Sequence, residues 1–528
     1  MKKIFTSALL GLCFQLGAHA QTDKAAAYAA TITSGDLKKH LTIIAGDEME
    51  GRETGTEGQR KAAVYIAEQF KSMGLQSPVA VTAYQQMYPL HQDSLISSRL
   101  QINGITGEPG KDYYSQLSLT ESGNFKGKLV VFVGYGIEDS AYSDYTGLNV
   151  KGKVVLFFTG EPKTGGKFLV SGTARSSEWS YPGLSKKLAT AKNKGAIGAF
   201  IISPMQATFT PRIVESNRKS TMYYPRTAAK GKPINHAFLS HAFAKNLFKV
   251  DFDSLLSTVK AGAPIEKTRL FETKQKIVFS YSKHTTVIPA SNVMGVIEGT
   301  DKKDEFVFLT AHYDHLGKRD GKIYYGADDD GSGTCAVIEM AEAFAKAKAA
   351  GAGPRRTIVF MTVSGEEKGL WGSEYYSDHP IFPLDKTSVD LNTDMVGRID
   401  TERTTGDTLN YIYVIGHNKL STDLQVISEA VNNQYTNLVL DYKFDDVNDP
   451  NRIYFRSDHY NFARKGVPIL FFYDGMLKAD YHKPTDTVDK IYWELYEKRT
   501  RMIFHTAWEI ANRGEMLKRD IPLTGETR

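Results

Sequence analysis

The chain is poor in cysteine and has no long apolar run. Only Cys13 and Cys335 occur among its 528 residues. The longest apolar stretch, Ala8 to Leu16, falls well short of the roughly 20 residues a membrane-spanning helix needs. Neither sign of charge is in large excess: the formal net charge is +5, too small to suggest a nucleic-acid surface. Lys2 and Lys3, the run Ala8 to Leu16 and the small-residue site Ala18-His19-Ala20 have the three-part pattern of a cleavable secretory signal over residues 1–20. Loss of that leader lowers the charge to +3 and leaves Cys335 alone, which excludes an intrachain disulfide. The reading is therefore an exported protein, secreted or periplasmic, without stable membrane insertion.

Length and 41% hydrophobic content supply more than one ordinary core, which predicts two domains or one large domain carrying an insertion. Ala63, Ile66, Ala67, Phe70 and Met73 recur at helical spacing over 56–73, and Gly74 follows as a stop signal. Strands are expected at 128–133, 153–158 and 197–203, with a helix at 185–194. From about residue 275 the pattern alternates. Strand candidates at 305–311, 357–363, 388–393, 409–415 and 467–473 are interleaved with helical patterns at 333–349 and 421–435, and a last helix is expected at 492–512. This predicts an α/β fold, a mixed central sheet with helices on both faces.

Acidic residues and histidines cluster just beyond the C-terminal ends of these strands, the edge where open α/β sheets bind ligands. The clusters are AHYDHLG (311–317), GADDDGSG (326–333), SGEEKGLWGS (364–373), NTDMVGR (392–398) and YHKPTDT (481–487). Singly, each has an ordinary structural explanation, such as a helix cap or a turn. Burying so many carboxylates together is prohibitive unless a cation neutralises them. Imidazoles with carboxylates suit zinc, and a bridging carboxylate can hold two metals.

In order, spacing and flanking residues these five motifs resemble the M28 (aminopeptidase Y) metallopeptidases, a zinc-exopeptidase type. The resemblance implies two zinc ions per chain. His312 and Asp394 would bind one, His482 and Glu367 the other, and Asp329 would bridge them. It also implies Glu366 as general base and Tyr481 as hydrogen-bond donor to the tetrahedral oxyanion. Asp314 would orient His312 without ligating, while Asp458 and Asp486 read as structural. GDEMEGRETGTEG (46–58) and SNVMGVIEG (291–299) resemble the start of such a catalytic domain and its resumption after an insertion. The catalytic domain would then be discontinuous, 21–120 and 271–528. Residues 121–270, with KGKVVLFFTGEP and NKGAIGAFIISP, resemble a β-rich protease-associated (PA) domain.

The implied activity is an aminopeptidase acting on peptide substrates. Arginine is the favoured holder of a substrate carboxylate, and Val467 to His482 contains none. Arg452, Arg456 and Arg464 lie nearby, and Asp445, Asp446 and Asp449 are candidates to hold an α-ammonium group. The alternatives are a carboxypeptidase of the same family, a single-zinc glutaminyl-cyclase-like acyltransferase and a non-enzymatic receptor-like relative. A metallo-β-lactamase-like site is rejected, because Thr310 stands where HxHxDH needs its first histidine.

Overall fold

The computed structural model describes residues 24–81, 83–181, 183–226, 234–248, 250–446 and 448–523. The expected leader, residues 1–20 with Cys13 and the Ala18-His19-Ala20 site, lies outside the described residues. The chain divides into two compact units, Met1–Pro89 with Pro289–Arg528, and Leu90–Ile288.

The first unit is built on seven strands: β1 (Glu272–Ile297, through its last five residues), β2 (Lys302–His312), β3 (Arg356–Val363), β4 (Thr387–Thr393), β5 (Tyr411–Ile415), β6 (Val439–Asp441) and β7 (Ile469–Tyr473). Their spatial order is β6-β5-β7-β4-β2-β3-β1. The four central strands β7, β4, β2 and β3 run parallel, whereas β1 pairs with β3 and β5 with β7 in antiparallel fashion. The mixed sheet expected from the sequence is the one observed.

Helices cover both faces, and the alternation of side chains along β2 shows why. Val307, Leu309 and Ala311 enter one apolar cluster with residues of α1 (Ser34–Ile44), α2 (Glu57–Ser72), α3 (Gly333–Ala349) and α7 (Trp493–Asn512). Phe306 and Phe308 enter the other, with Tyr376 of α4 (Trp371–Asp378) and Phe462 of α6 (His459–Ala463). A strand so flanked has no solvent face, so β3 and β4 are buried along their whole length and β2 from Phe306 onward. Each such Val, Leu or Phe stabilises the fold by roughly 1.5–3 kcal/mol on burial. A further helix, α5 (Asp423–Tyr435), packs on α7. The stop signal after α2 operates as expected: Gly74 takes φ +75°, and the Leu75 amide returns to the Phe70 carbonyl at 3.0 Å.

In the second unit Glu272–Tyr281 pairs antiparallel with Gly123–Phe132. That strand continues in parallel to Val154–Phe158, Gly198–Ile202 and His236–Leu239. Helices at Leu184–Asn193, His241–Phe248 and Phe252–Lys260 accompany the sheet, with an apolar cluster on each face. The unit contains the whole of 121–270 and extends beyond it, because Leu100 and Ile102 belong to its core.

Candidate metal centre

The parallel strands β2, β3, β4 and β7 deliver their C-terminal ends to one edge of the first unit's sheet. His312 is the last residue of β2 and lies opposite Val363. Its Nδ1 faces the Asp314 carbonyl oxygen at 3.0 Å, which fixes the ring and turns Nε2 toward Asp329 Oδ1 (3.3 Å), Asp394 Oδ1 (3.5 Å) and Glu366 Oε2 (3.9 Å). The Asp314 carboxylate was expected to orient this ring. It stands 3.6 Å from Nδ1 and instead accepts the Thr54 hydroxyl (2.6 Å) and the Glu366 amide (3.2 Å). Orientation of His312 thus falls chiefly to a main-chain carbonyl, and the Asp314 carboxylate positions the backbone of Glu366.

Of the three consecutive aspartates in GADDDGSG, two are used to hold the loop. Asp328 Oδ1 accepts the Gly397 amide (2.8 Å). Asp330 accepts the amides of Gly333 (2.8 Å), Met395 (3.0 Å) and His312 (3.1 Å). Asp486 grips the same loop from YHKPTDT, accepting the Asp328 and Asp329 amides at 3.1 Å each. Asp329 is left to face the histidines. Burial opposes its ionisation, but His315, His312 and His482 outweigh burial and hold its carboxyl well below the ordinary range.

Glu366 and Glu367 follow β3, and Asp394 follows β4. The Asp394 loop is tied down by Arg499 of α7, which donates to the carbonyls of Val396 (2.9 Å) and Arg398 (2.6 Å). Burial pushes the Glu366 carboxyl well up; His312 moderates the effect, and Glu367 and Asp394 add to it. Glu367 behaves oppositely. Burial and Asp329 would raise it, yet His315 and His482 bring it down to about 2. His482 places Nε2 3.3 Å from Asp329 Oδ2 and 3.1 Å from Glu367 Oε2. Against the effect of burial, those carboxylates lift its pKa to about 10.

All seven sequence-expected residues are therefore gathered in one place: His312, Asp329, Glu366, Glu367, Asp394, Tyr481 and His482. In each of two groups, His312–Asp329–Asp394 and His315–Asp329–Glu367, the donor atoms lie within 4.8 Å of one another, and Asp329 belongs to both. Glu367 Oε1 and Asp329 Oδ2 are buried without a hydrogen-bond partner. Imidazole nitrogens and carboxylate oxygens around such unpartnered atoms are a zinc-type donor set, so the residues present fit the metal the sequence implied.

A cavity opens on this cluster, lined by His312, Asp329, Glu366 and Asp394 on its polar side and by Ile453, Phe471, Tyr473 and Leu477 on its apolar side. Tyr481 and Arg456 also line it, with Arg456 Nη2 donating to the Tyr481 hydroxyl at 3.0 Å. The sequence had marked Arg456 only as one of three nearby arginines. Asp445, Asp446 and Asp449 do not line this cavity. Asp445 pairs with His417 and Lys419, and the other two accept main-chain amides of their own loop. His315 and Arg52 went unassigned in the sequence. The second histidine of HYDH was the available signal for the first. For Arg52 there was none, because its partners are carbonyls of distant segments.

The profile described as Peptidase family M28 matches residues 292–507. Among curated proteins, the chain is 28% identical over 226 residues to a probable leucine aminopeptidase of Arthroderma otae, covering 42% of this chain and 57% of that one. It is 40% identical over 98 residues to a probable glutamate carboxypeptidase of Arthroderma benhamiae, covering 19% and 12%. The chain spans 57–59% of the length of the leucine aminopeptidases it matches. Among solved structures, the aminopeptidase from Aneurinibacillus sp. strain AM-1 aligns at a TM-score of 0.48 and 17% identity, over 94% of this chain and 98% of that one.

Proposed function

Given a chain that carries a peptidase family M28 domain over residues 292–507, we propose that it is an exported two-zinc aminopeptidase that hydrolyses the N-terminal bond of peptides. The supporting observation is the pair of donor groups that share Asp329. His312 and Asp394 would hold one zinc, Glu367 and His482 the other. Bound there, zinc would polarise the scissile carbonyl and make water a nucleophile at neutral pH.

The protein's own groups then have separable tasks. Glu366 points into the cavity beside His312, and its raised pKa suits a group that takes the attacking water's proton and passes it to the leaving amine. Its amide is pinned by Asp314, so the carboxylate is presented from a fixed backbone. Tyr481 donates to the oxyanion that forms on the attacked carbonyl; its ring stacks on His482 with centroids 3.8 Å apart, which sets its reach. Residues 121–270 would form a PA domain that limits access or contacts substrate. Among the described residues no helix is long and apolar enough to cross a membrane; export rests on the pattern in residues 1–20.

Arg456 favours a second reading. A guanidinium lining the cavity could hold a substrate carboxylate, which is the requirement of a carboxypeptidase.

The division of labour is tested by Glu366→Gln and Glu367→Gln. The first should keep zinc while kcat falls by at least about 100-fold. The second should lose zinc as well as activity. Full zinc in both, with equal loss of rate, would contradict the assignment of base and ligand.

A further inference from the structure

We propose that His315 is a fourth protein ligand at the metal position formed by Asp329, Glu367 and His482, which would close that position and leave the His312–Asp394 position as the open, reactive one. This inference rests on the two-metal reading above. His315 is fully buried, with Nδ1 2.8 Å from Glu367 Oε1 and 3.7 Å from Asp329 Oδ2. At 2.8 Å a hydrogen bond would be expected, yet none forms: His315 Nδ1 and Nε2, Glu367 Oε1 and Asp329 Oδ2 are all buried without a hydrogen-bond partner. A close approach without donor–acceptor alignment is the arrangement of atoms directed at a common centre instead of at each other, as ligands of one ion are.

His482 comes to the same two carboxylates from the more exposed side, its Nε2 3.1 Å from Glu367 Oε2. The two imidazoles stand 5.9 Å apart at 72°. Two nitrogens and two carboxylates complete the four donors of a closed zinc site. The other position has three, His312, Asp394 and Asp329, and those three together with Glu366 line the cavity. His315, Glu367 and His482 do not. Backbone packing keeps the His315 ring where it is. Gly326 has φ +54°, and a Cβ there would lie 2.5 Å from His315 Cγ, so the adjoining loop can pass only as glycine.

The test uses the full chain loaded with zinc, with metal per chain measured during competition with a graded series of chelators. Wild type should hold two ions, releasing one early and one late. His315→Ala should weaken the late ion by more than about 100-fold, beyond the 10–100-fold typical when an outer partner of a ligand is lost, and leave the early ion in place. Wild type holding fewer than two ions would overturn the two-metal reading itself. Two ions in His315→Ala with unchanged affinity would overturn the role of His315 alone. Should His315→Ala not fold, a crystal structure of zinc-loaded wild type decides: Nδ1 about 2.1 Å from the ion is expected, and a separation above about 3 Å refutes ligation.

Discussion

Arg52 offers a stringent test of how the metal loops are held. Its side chain is fully buried, and it donates to four carbonyls: Tyr313 (2.7 Å), Ile44 (2.8 Å), Tyr325 (2.7 Å) and Gly326 (2.9 Å). Tyr313 sits between His312 and Asp314, and Gly326 opens the loop that carries Asp329, so one guanidinium ties together the two segments that present these ligands. Arg52→Met fills much of the same volume but strands all four buried acceptors. At about 1 kcal/mol for each stranded group, the low end for buried polar atoms, the first unit should lose at least about 4 kcal/mol. Arg52→Lys, whose ammonium cannot span four carbonyls, should recover only part of this. The assay is urea unfolding followed by tryptophan fluorescence in a Trp179→Phe background, which leaves only Trp371, Trp493 and Trp508, all in the first unit. A loss below about 1 kcal/mol would refute the clamp, because four buried hydrogen bonds from a cation cannot vanish at so small a cost.

Tyr481→Phe removes the proposed oxyanion donor and should lower kcat by about 100-fold or more with zinc content unchanged; an unaltered kcat on aminoacyl chromogenic substrates would reduce the residue to packing against His482. In the second unit, burial brings Lys187 down to about 7, against the pull of Asp144 and Glu161. Between that value and the ordinary lysine value of 10.5 the unfolded chain binds more protons, so stability should rise with pH through this window, by up to about 1.4 kcal/mol per unit. Thermal melts of wild type and Lys187→Met from pH 7 to 9.5 should show the slope in the former and a flatter profile in the latter; parallel profiles would count against the burial argument.

The strands were legible because both faces of the sheet are covered, so β2, β3 and β7 contain apolar runs, and α3 and α7 have bounds close to their periodicity. Much of Glu272–Ile297 was not. Its first half alternates buried and exposed residues with many polar side chains, and only its apolar end, near SNVMGVIEG, signalled a strand. The same holds for Gln85–Ile102, whose irregular alternation hides Leu100 and Ile102 of the second core.

At the site, AHYDHLG, SGEEKGLWGS and NTDMVGR were legible because each lies at or just past the end of a sheet strand, and the resemblance carried by all five motifs singled out the seven residues. What local sequence cannot express is competition for partners. Asp328, Asp329 and Asp330 are equivalent as letters, and only the amides of Gly333, Met395 and Gly397 show which carboxylates are occupied. The role of His315 is illegible for a related reason, since its direction depends on the turn after β2 and on Gly326 across from it. Arg456 reaches the cavity through packing of Tyr481, a contact separated by 25 residues.

The most direct test of the two-zinc aminopeptidase is a matched pair of dipeptides, one C-amidated and one N-acetylated, offered to full-length protein stripped of metal and reloaded with zinc stepwise. The amidated peptide alone should be cleaved, with a rate that grows up to two zinc equivalents and is abolished by chelator. Cleavage of the acetylated peptide alone, or undiminished cleavage by the stripped protein, would contradict it.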